Sequence, residues 1–131
     1  PDGNAALVAR CCHVPERTDG RRHEATGRVV SIGLSALNNI AVDSVSRSVA
    51  KMNEQVLTIV ISAMKIFSMN ELVQKNACFY LKTCCFLPEN VQLMCKHSHN
   101  LIPQLLQASD KFPEACRDRS AAVMARITGK K

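Results

Sequence analysis

Cys95, Lys96, His97, Ser98 and His99 bring one thiol and two imidazoles within five residues, and Cys84 and Cys85 precede them closely in the chain. Thiolate and imidazole are the ligands zinc prefers. The spacing matches no zinc-finger pattern, however. Histidines two residues apart on a helix point in different directions. Cys11, Cys12 and His13 offer the same donor types, and a meeting of the two clusters in space would strengthen a metal site. Taken alone, neither cluster predicts a metal ligand set, and no cofactor is expected.

Catalysis finds little support. Cys95 and His97 supply a nucleophile and a base in principle, but no orienting acid or oxyanion loop accompanies them. The five glycines are scattered, so no loop is built to cradle a phosphate. No Ser or Cys stands in a nucleophile-elbow context. The acidic residues are sparse and lie mostly at expected helix starts, where capping accounts for them. The chain reads as a non-enzyme.

Charge says more about partners. There are 17 Lys and Arg against 11 Asp and Glu, a net charge of +6. Such a balance attracts an acidic peptide, nucleic acid or an anionic lipid surface. The basic residues are scattered except for Arg21–Arg22, Arg117 with Arg119, and Lys130–Lys131. Lys75, Lys82, Arg117, Arg119 and Arg126 fall on candidate helices that could meet phosphates. No aromatic is expected among them for stacking, which weakens the nucleic-acid reading.

The elements that must position these residues are helices. At 131 residues the chain is one domain or a piece of one. Apolar residues make up 47% but aromatics only 4%, so the core must be Leu, Ile, Val, Ala, Met and Cys, which suits helix packing. The seven cysteines are odd in number and include two adjacent pairs. They read as small core residues of an intracellular, reducing compartment, cytoplasm or nucleus, with an organelle left open. No apolar run reaches ~18 residues, so no membrane span is expected. The start at Pro1 is that of a processed product or of a piece cut from something longer.

Residues 1–27 hold Pro1, Gly3, Pro15, Gly20 and Gly27 and no sustained period; they read as an irregular arm or linker. Residues 28–131 read as a helical domain. Val29, Ile32, Gly33, Ala36, Leu37, Ile40 and Ala41 recur at helical steps and predict one buried face. Val45, Val49 and Met52 suggest a short helix. Asn53 and Asn70 are expected N-caps, and Asn100 a third, with Pro103 in its helix's first turn. Pro88 and Pro113 suit helix starts. Predicted inward residues are Val56, Leu57, Val60, Ile61, Met64 and Phe67, then Leu72, Val73, Asn76, Ala77, Tyr80, Leu81 and Cys84. Leu101, Ile102, Leu105, Leu106 and Phe112 follow, then Cys116, Val123, Met124 and Ile127.

The helices repeat. Ala63 pairs with Ala108 and Phe67 with Phe112, each 45 residues apart (108 − 63 and 112 − 67). Val29–Ala41 aligns with Val73–Cys85 at an offset of 44 (73 − 29), and the last helix continues it at about 43. An all-helical period of ~40–47 residues belongs to stacked repeats, in which no helix buries its apolar face alone.

GLSALNNIAVD (Gly33–Asp43) and LVQKNACFYL (Leu72–Leu81) resemble the third-helix pattern of the armadillo repeat, and the resemblance covers about Arg28 to Ile127. It implies an all-α fold, a short right-handed α-solenoid of about two and a half armadillo/HEAT-like repeats. It also implies a concave groove along the third helices, Arg28–Ala41, Asn70–Cys85 and Glu114–Ile127. A ladder of Asn side chains would there hold an extended peptide. Only Asn39 matches the ladder; its equivalents are Thr83 and Arg126. The expected function is a non-catalytic interaction or scaffold module, part of a larger solenoid. Its partner-binding residues would be Asn39, Lys75, Lys82, Thr83 and Arg126, and its partner a protein or peptide of acidic character. The alternatives are a structural subunit of a large assembly, with the arm 1–27 reaching across a neighbour, and a zinc- or nucleic-acid-binding helical module.

Overall fold

Two asparagine side chains start helices where expected. In the computed structural model, which describes residues 20–43 and 51–129, Asn53 Oδ1 accepts from the Val56 N–H at 2.8 Å and Asn70 Oδ1 from the Val73 N–H at 3.1 Å. These caps open α2 (Glu54–Ile66) and α3 (Glu71–Cys84) and satisfy donors that a helix start leaves free. Before them runs α1 (Gly20–Asp43). After them come α4 (Pro88–Lys96), α5 (Ser98–Lys111) and α6 (Pro113–Thr128). Pro88 and Pro113 occupy the first turns of their helices, where no N–H is missed. Gly129, at φ 72°, closes α6 in the left-handed conformation that glycine adopts freely. Among the described residues there is no strand, and no helix is long and apolar enough to cross a membrane.

Three expectations need correction. First, α1 begins at Gly20, so residues 20–27 belong to a helix and not to the arm. Gly27 is buried, and a Cβ there would meet the Asn70 side chain and Phe67. A glycine that lets helices approach closely leaves no trace in hydrophobic periodicity. Second, α5 has no Asn100 cap. The His97 carbonyl takes both the Asn100 and the Leu101 N–H at 3.0 Å, so the helix starts at Ser98, directly after α4, and Pro103 lies inside it. Third, α1 is turned by about one residue. Val30, Leu34, Leu37 and Ala41 are buried, while Ile32 is 66% exposed and Ile40 42%. The arm's remaining residues, the cluster Cys11–Cys12–His13 and most of the expected short helix around Val45–Val49 lie outside the described residues.

Helix α1 packs on α3, and α6 packs on both α3 and α5; α2 makes lighter contacts with α3 and α5, and α4 with α5 and α6. The residues 45 apart close their helices in the same local way. The Phe67 N–H donates to the Ala63 carbonyl and the Phe112 N–H to the Ala108 carbonyl, both at 2.9 Å, with both alanines buried. For the α1–α3 pair the offset is 43, not 44: Val30, Leu34, Leu37 and Ala41 match Val73, Ala77, Tyr80 and Cys84 (73 − 30), buried on buried. The same step leads from Val73, Tyr80 and Cys84 to Cys116, Val123 and Ile127 (116 − 73). Under this register Asn39 corresponds to Lys82, and Thr83 to Arg126.

Buried polar side chains tie the helices together. Gln74 donates to the Met64 and Phe67 carbonyls at 3.0 and 2.8 Å, closing the C-terminus of α2. Asn90 accepts from the Met52 N–H at 2.7 Å and donates to the Cys84 carbonyl at 2.9 Å. Asn76, expected inward, reaches sideways and donates to the Ser31 carbonyl of α1 at 2.9 Å. Ser120 donates to the Leu105 carbonyl at 3.2 Å, joining α6 to α5.

Candidate functional site

The core takes Val73, Ala77, Tyr80 and Cys84 from α3, which leaves a second stripe of the same helix in solvent. Leu72, Lys75, Phe79 and Lys82 follow at three- and four-residue steps, and Phe86 continues them in the turn after Cys84. Leu72 is 52% exposed, Phe79 37% and Phe86 52%. Leu72 was expected inward; it sits about 100° round the helix from Val73 and loses that contest. A stripe on α6 also advances in three- and four-residue steps: Ala115, Arg119, Ala122 and Arg126.

The two stripes meet. The Arg119 guanidinium stacks 4.5 Å from the centroid of the Phe79 ring, and its Nη1 donates to the Ala115 carbonyl at 3.1 Å. An aromatic therefore does stand among the cations, between Lys75 and Lys82, against the expectation from sequence. A cleft of about 440 Å³ is lined by Leu72, Lys75, Ala115 and Arg119, with Glu71 and Glu114 at the helix starts. Arg126 is exposed in the last turn of α6.

Of the expected partner-binding residues, Lys75, Lys82 and Arg126 are exposed on α3 and α6, and Asn39 is exposed on α1. Thr83 is half-buried and its hydroxyl donates to the Phe79 carbonyl at 3.0 Å, which leaves it an acceptor only. Among the described residues Lys75 and Lys82 make no ion pair. Sequence reasoning passed over Leu72, Phe79 and Phe86 as surface groups. Their seven-residue spacing, out of phase with the core stripe, was the available signal.

On α1 the stripe Val29, Ile32, Ala36 and Ile40 is half-exposed or exposed. Val29, Leu72 and Ala115 share one register position (72 − 29 and 115 − 72), as do Ala36, Phe79 and Ala122. Two apolar rows thus run across α1, α3 and α6 on the solvent side.

The cysteine and histidine cluster does not assemble. His97 Nε2 lies 2.8 Å from Glu54 Oε1, linking the α4–α5 junction to the start of α2. Cys95 donates to the Ile127 carbonyl at 3.3 Å, and the Cys85 thiol faces Met94 Sδ at 3.9 Å. No group of three metal-ligating side chains forms among the described residues. Burial pushes the Cys84 thiol up to about 12 and the Cys85 thiol up to about 11, so both stay protonated near neutral pH. Cys78 Sγ lies 3.5 Å from the Ser120 hydroxyl in the α3–α6 contact, and Cys116 is buried on the facing helix. The Cys78 thiol and burial hold the Cys116 proton well above the ordinary thiol range, while the interaction with Cys116 lowers the Cys78 pKa. Cys84, Cys85 and Cys116 are core groups with poor nucleophilicity.

No known protein family, curated protein or solved structure matches the chain.

Proposed function

We propose that the chain is a non-catalytic protein-interaction module whose partner docks on the solvent face of α1, α3 and α6. One observation carries the reading. Two apolar rows, exposed at Leu72 and Phe79 and half-buried at Val29, Ala36, Ala115 and Ala122, lie beside Lys75, Lys82, Arg119 and Arg126 and outside the fully buried stripes of α1, α3 and α6. Apolar surface with basic borders is the usual composition of a docking site, with aromatic and Arg side chains as its anchors. The finer architecture belongs to the same proposal. Packing of α1 on α3, α3 on α6 and α2 on α5 is the order that a short right-handed stack of armadillo/HEAT-like repeats requires.

The ladder of Asn side chains does not support the reading. The α1–α3 register sets Asn39 opposite Lys82, so neither Thr83 nor Arg126 continues a row begun by Asn39. The anchors are instead Leu72, Phe79 and Phe86.

The test is site-specific photocrosslinking in cells expressing the full chain. A benzophenone at position 79 gives a discrete protein adduct that Lys75→Glu and Lys82→Glu abolish. The same group at exposed Gln107 on α5 gives none. An adduct at position 79 that nuclease removes would transfer the face to nucleic acid. Equal labelling from both positions would refute the reading.

A further inference from the structure

We infer that the occupant of the groove between α3 and α6 is an acidic amphipathic helix lying along it; the inference rests on the docking reading above. The cations decide which groove. Lys75 lines it from α3 and Arg119 from α6, and Lys82 and Arg126 are exposed seven residues further along the same helices. Among the described side chains of α1 the one cation is Arg28. Along the α3–α6 groove the C-terminal half carries Lys82 and Arg126, with no acid on either stripe. Glu71 and Glu114 stand only at its N-terminal end, and Asp118 on α6 is the one further acid beside it.

The spacing decides the partner's conformation. Leu72, Phe79 and Phe86 recur every seven residues, as do Ala115 and Ala122. Lys75 with Lys82 and Arg119 with Arg126 recur every seven as well, offset by half that interval. Seven helical residues advance ~10.5 Å. A partner helix with an apolar residue every seventh position and acids between them meets anchor with anchor and charge with charge along its length. An extended chain advancing ~3.3 Å per residue reaches the next anchor after three residues, which turns alternate side chains away from the groove. Shape agrees. Leu72 and Phe79 form a tall wall and the alanines of α6 a low one, and the cleft between them is open. Arg119 is already held by the Phe79 ring and the Ala115 carbonyl, so little ordering is left to do on binding.

A display selection against the full chain tests this. The library holds three equal classes: heptad helices with acidic residues between the apolar positions, the same helices with basic residues, and acidic sequences broken by proline every third residue. The acidic heptads are expected to be enriched and to gain helicity by circular dichroism on binding. Phe79→Ala and Lys82→Glu are each expected to weaken them about tenfold in fluorescence anisotropy, with Gln107→Ala without effect. Lys82 is exposed, so its replacement leaves folding intact even if Phe79→Ala perturbs it. Enrichment of the proline-broken class overturns the helix and leaves the docking face standing. Enrichment of the basic class, or binders indifferent to both variants, overturns the groove assignment. An absence of any enriched class also overturns it, and crosslinking from position 79 still decides the docking reading separately.

Discussion

Arg119 of α6 lies over the ring of Phe79 of α3 at 4.5 Å, on a surface where both side chains remain partly in water. The pair joins two helices outside their shared core and sets the shape of the groove. A cation over an exposed ring contributes about 0.5–1 kcal/mol. A double-mutant cycle with Arg119→Ala and Phe79→Leu is expected to return coupling of that size in urea unfolding. Strictly additive single effects would mean that the stacking is a geometric neighbour without energetic weight.

Gly27→Ala is expected to destabilise the fold by about 1–3 kcal/mol. In an exposed helix interior the same change stabilises by up to ~1 kcal/mol. Here the new methyl meets the Asn70 side chain, which is held in place as the cap of α3. Asn70→Ser keeps a capping oxygen on a shorter side chain, so the double variant should recover part of the loss. Stabilisation by Gly27→Ala alone would show that Asn70 yields freely.

Asn90→Leu keeps the volume but strands the Met52 N–H and leaves the Cys84 carbonyl only its 3.3 Å bond from the Leu87 N–H. One buried donor left without a partner predicts a loss of about 1–3 kcal/mol, measured by the urea midpoint at unchanged m-value. A loss under ~0.5 kcal/mol would mean that water reaches the Met52 N–H.

Asn38 is the opposite case. It is buried, and its Oδ1 has no hydrogen-bond partner among the described residues. The register positions that match it hold Leu81 and Met124 (81 − 38 and 124 − 81). Asn38→Leu is therefore expected to stabilise by roughly 1 kcal/mol. A clear destabilisation would reveal a hydrogen bond that the buried oxygen makes in solution.

Stability should fall in alkali. Cys84 and Cys85 hold their protons up to about 12 and about 11 in the folded chain, because burial disfavours the thiolate. An unfolded thiol titrates near ~8.5. Their contribution is fully present below the unfolded value and is lost as pH rises from about 9 towards 11. In that window the unfolded chain binds fewer protons, so the slope of stability against pH is negative. Each tenfold difference in proton affinity is worth ~1.4 kcal/mol. Urea midpoints from pH 7 to pH 10.5 should decline, and Cys84→Ala should flatten the curve. A flat profile in the parent chain would count against burial of these thiols.

The helices were largely legible in the sequence, because caps and periods are local. Asn53, Asn70, Pro88 and Pro113 act within one turn of themselves and need no partner. The 45-residue spacing of Ala63 with Ala108 and Phe67 with Phe112 was legible for a related reason: the same turn is built twice. The start of α1 was not. Its first turns carry polar residues, and the buried contact at Gly27 depends on Asn70, 43 residues away (70 − 27). The proposed docking face was half legible. Lys75, Lys82 and Arg126 were named from charge, but Phe79 and Phe86 look like core residues until the core is known.

By itself the sequence determined that the chain is helical and where most helices start. Only the tertiary structure decided which stripe of each helix faces inward. Val29, Ile32, Ala36 and Ile40 are as apolar and as regular as Val30, Leu34, Leu37 and Ala41, so periodicity cannot choose between them. The choice was made by α3, which presents Val73, Ala77 and Tyr80 to one stripe and leaves the other to water. A helix specifies its own hydrogen bonds, but its buried face is a property of the neighbour that covers it.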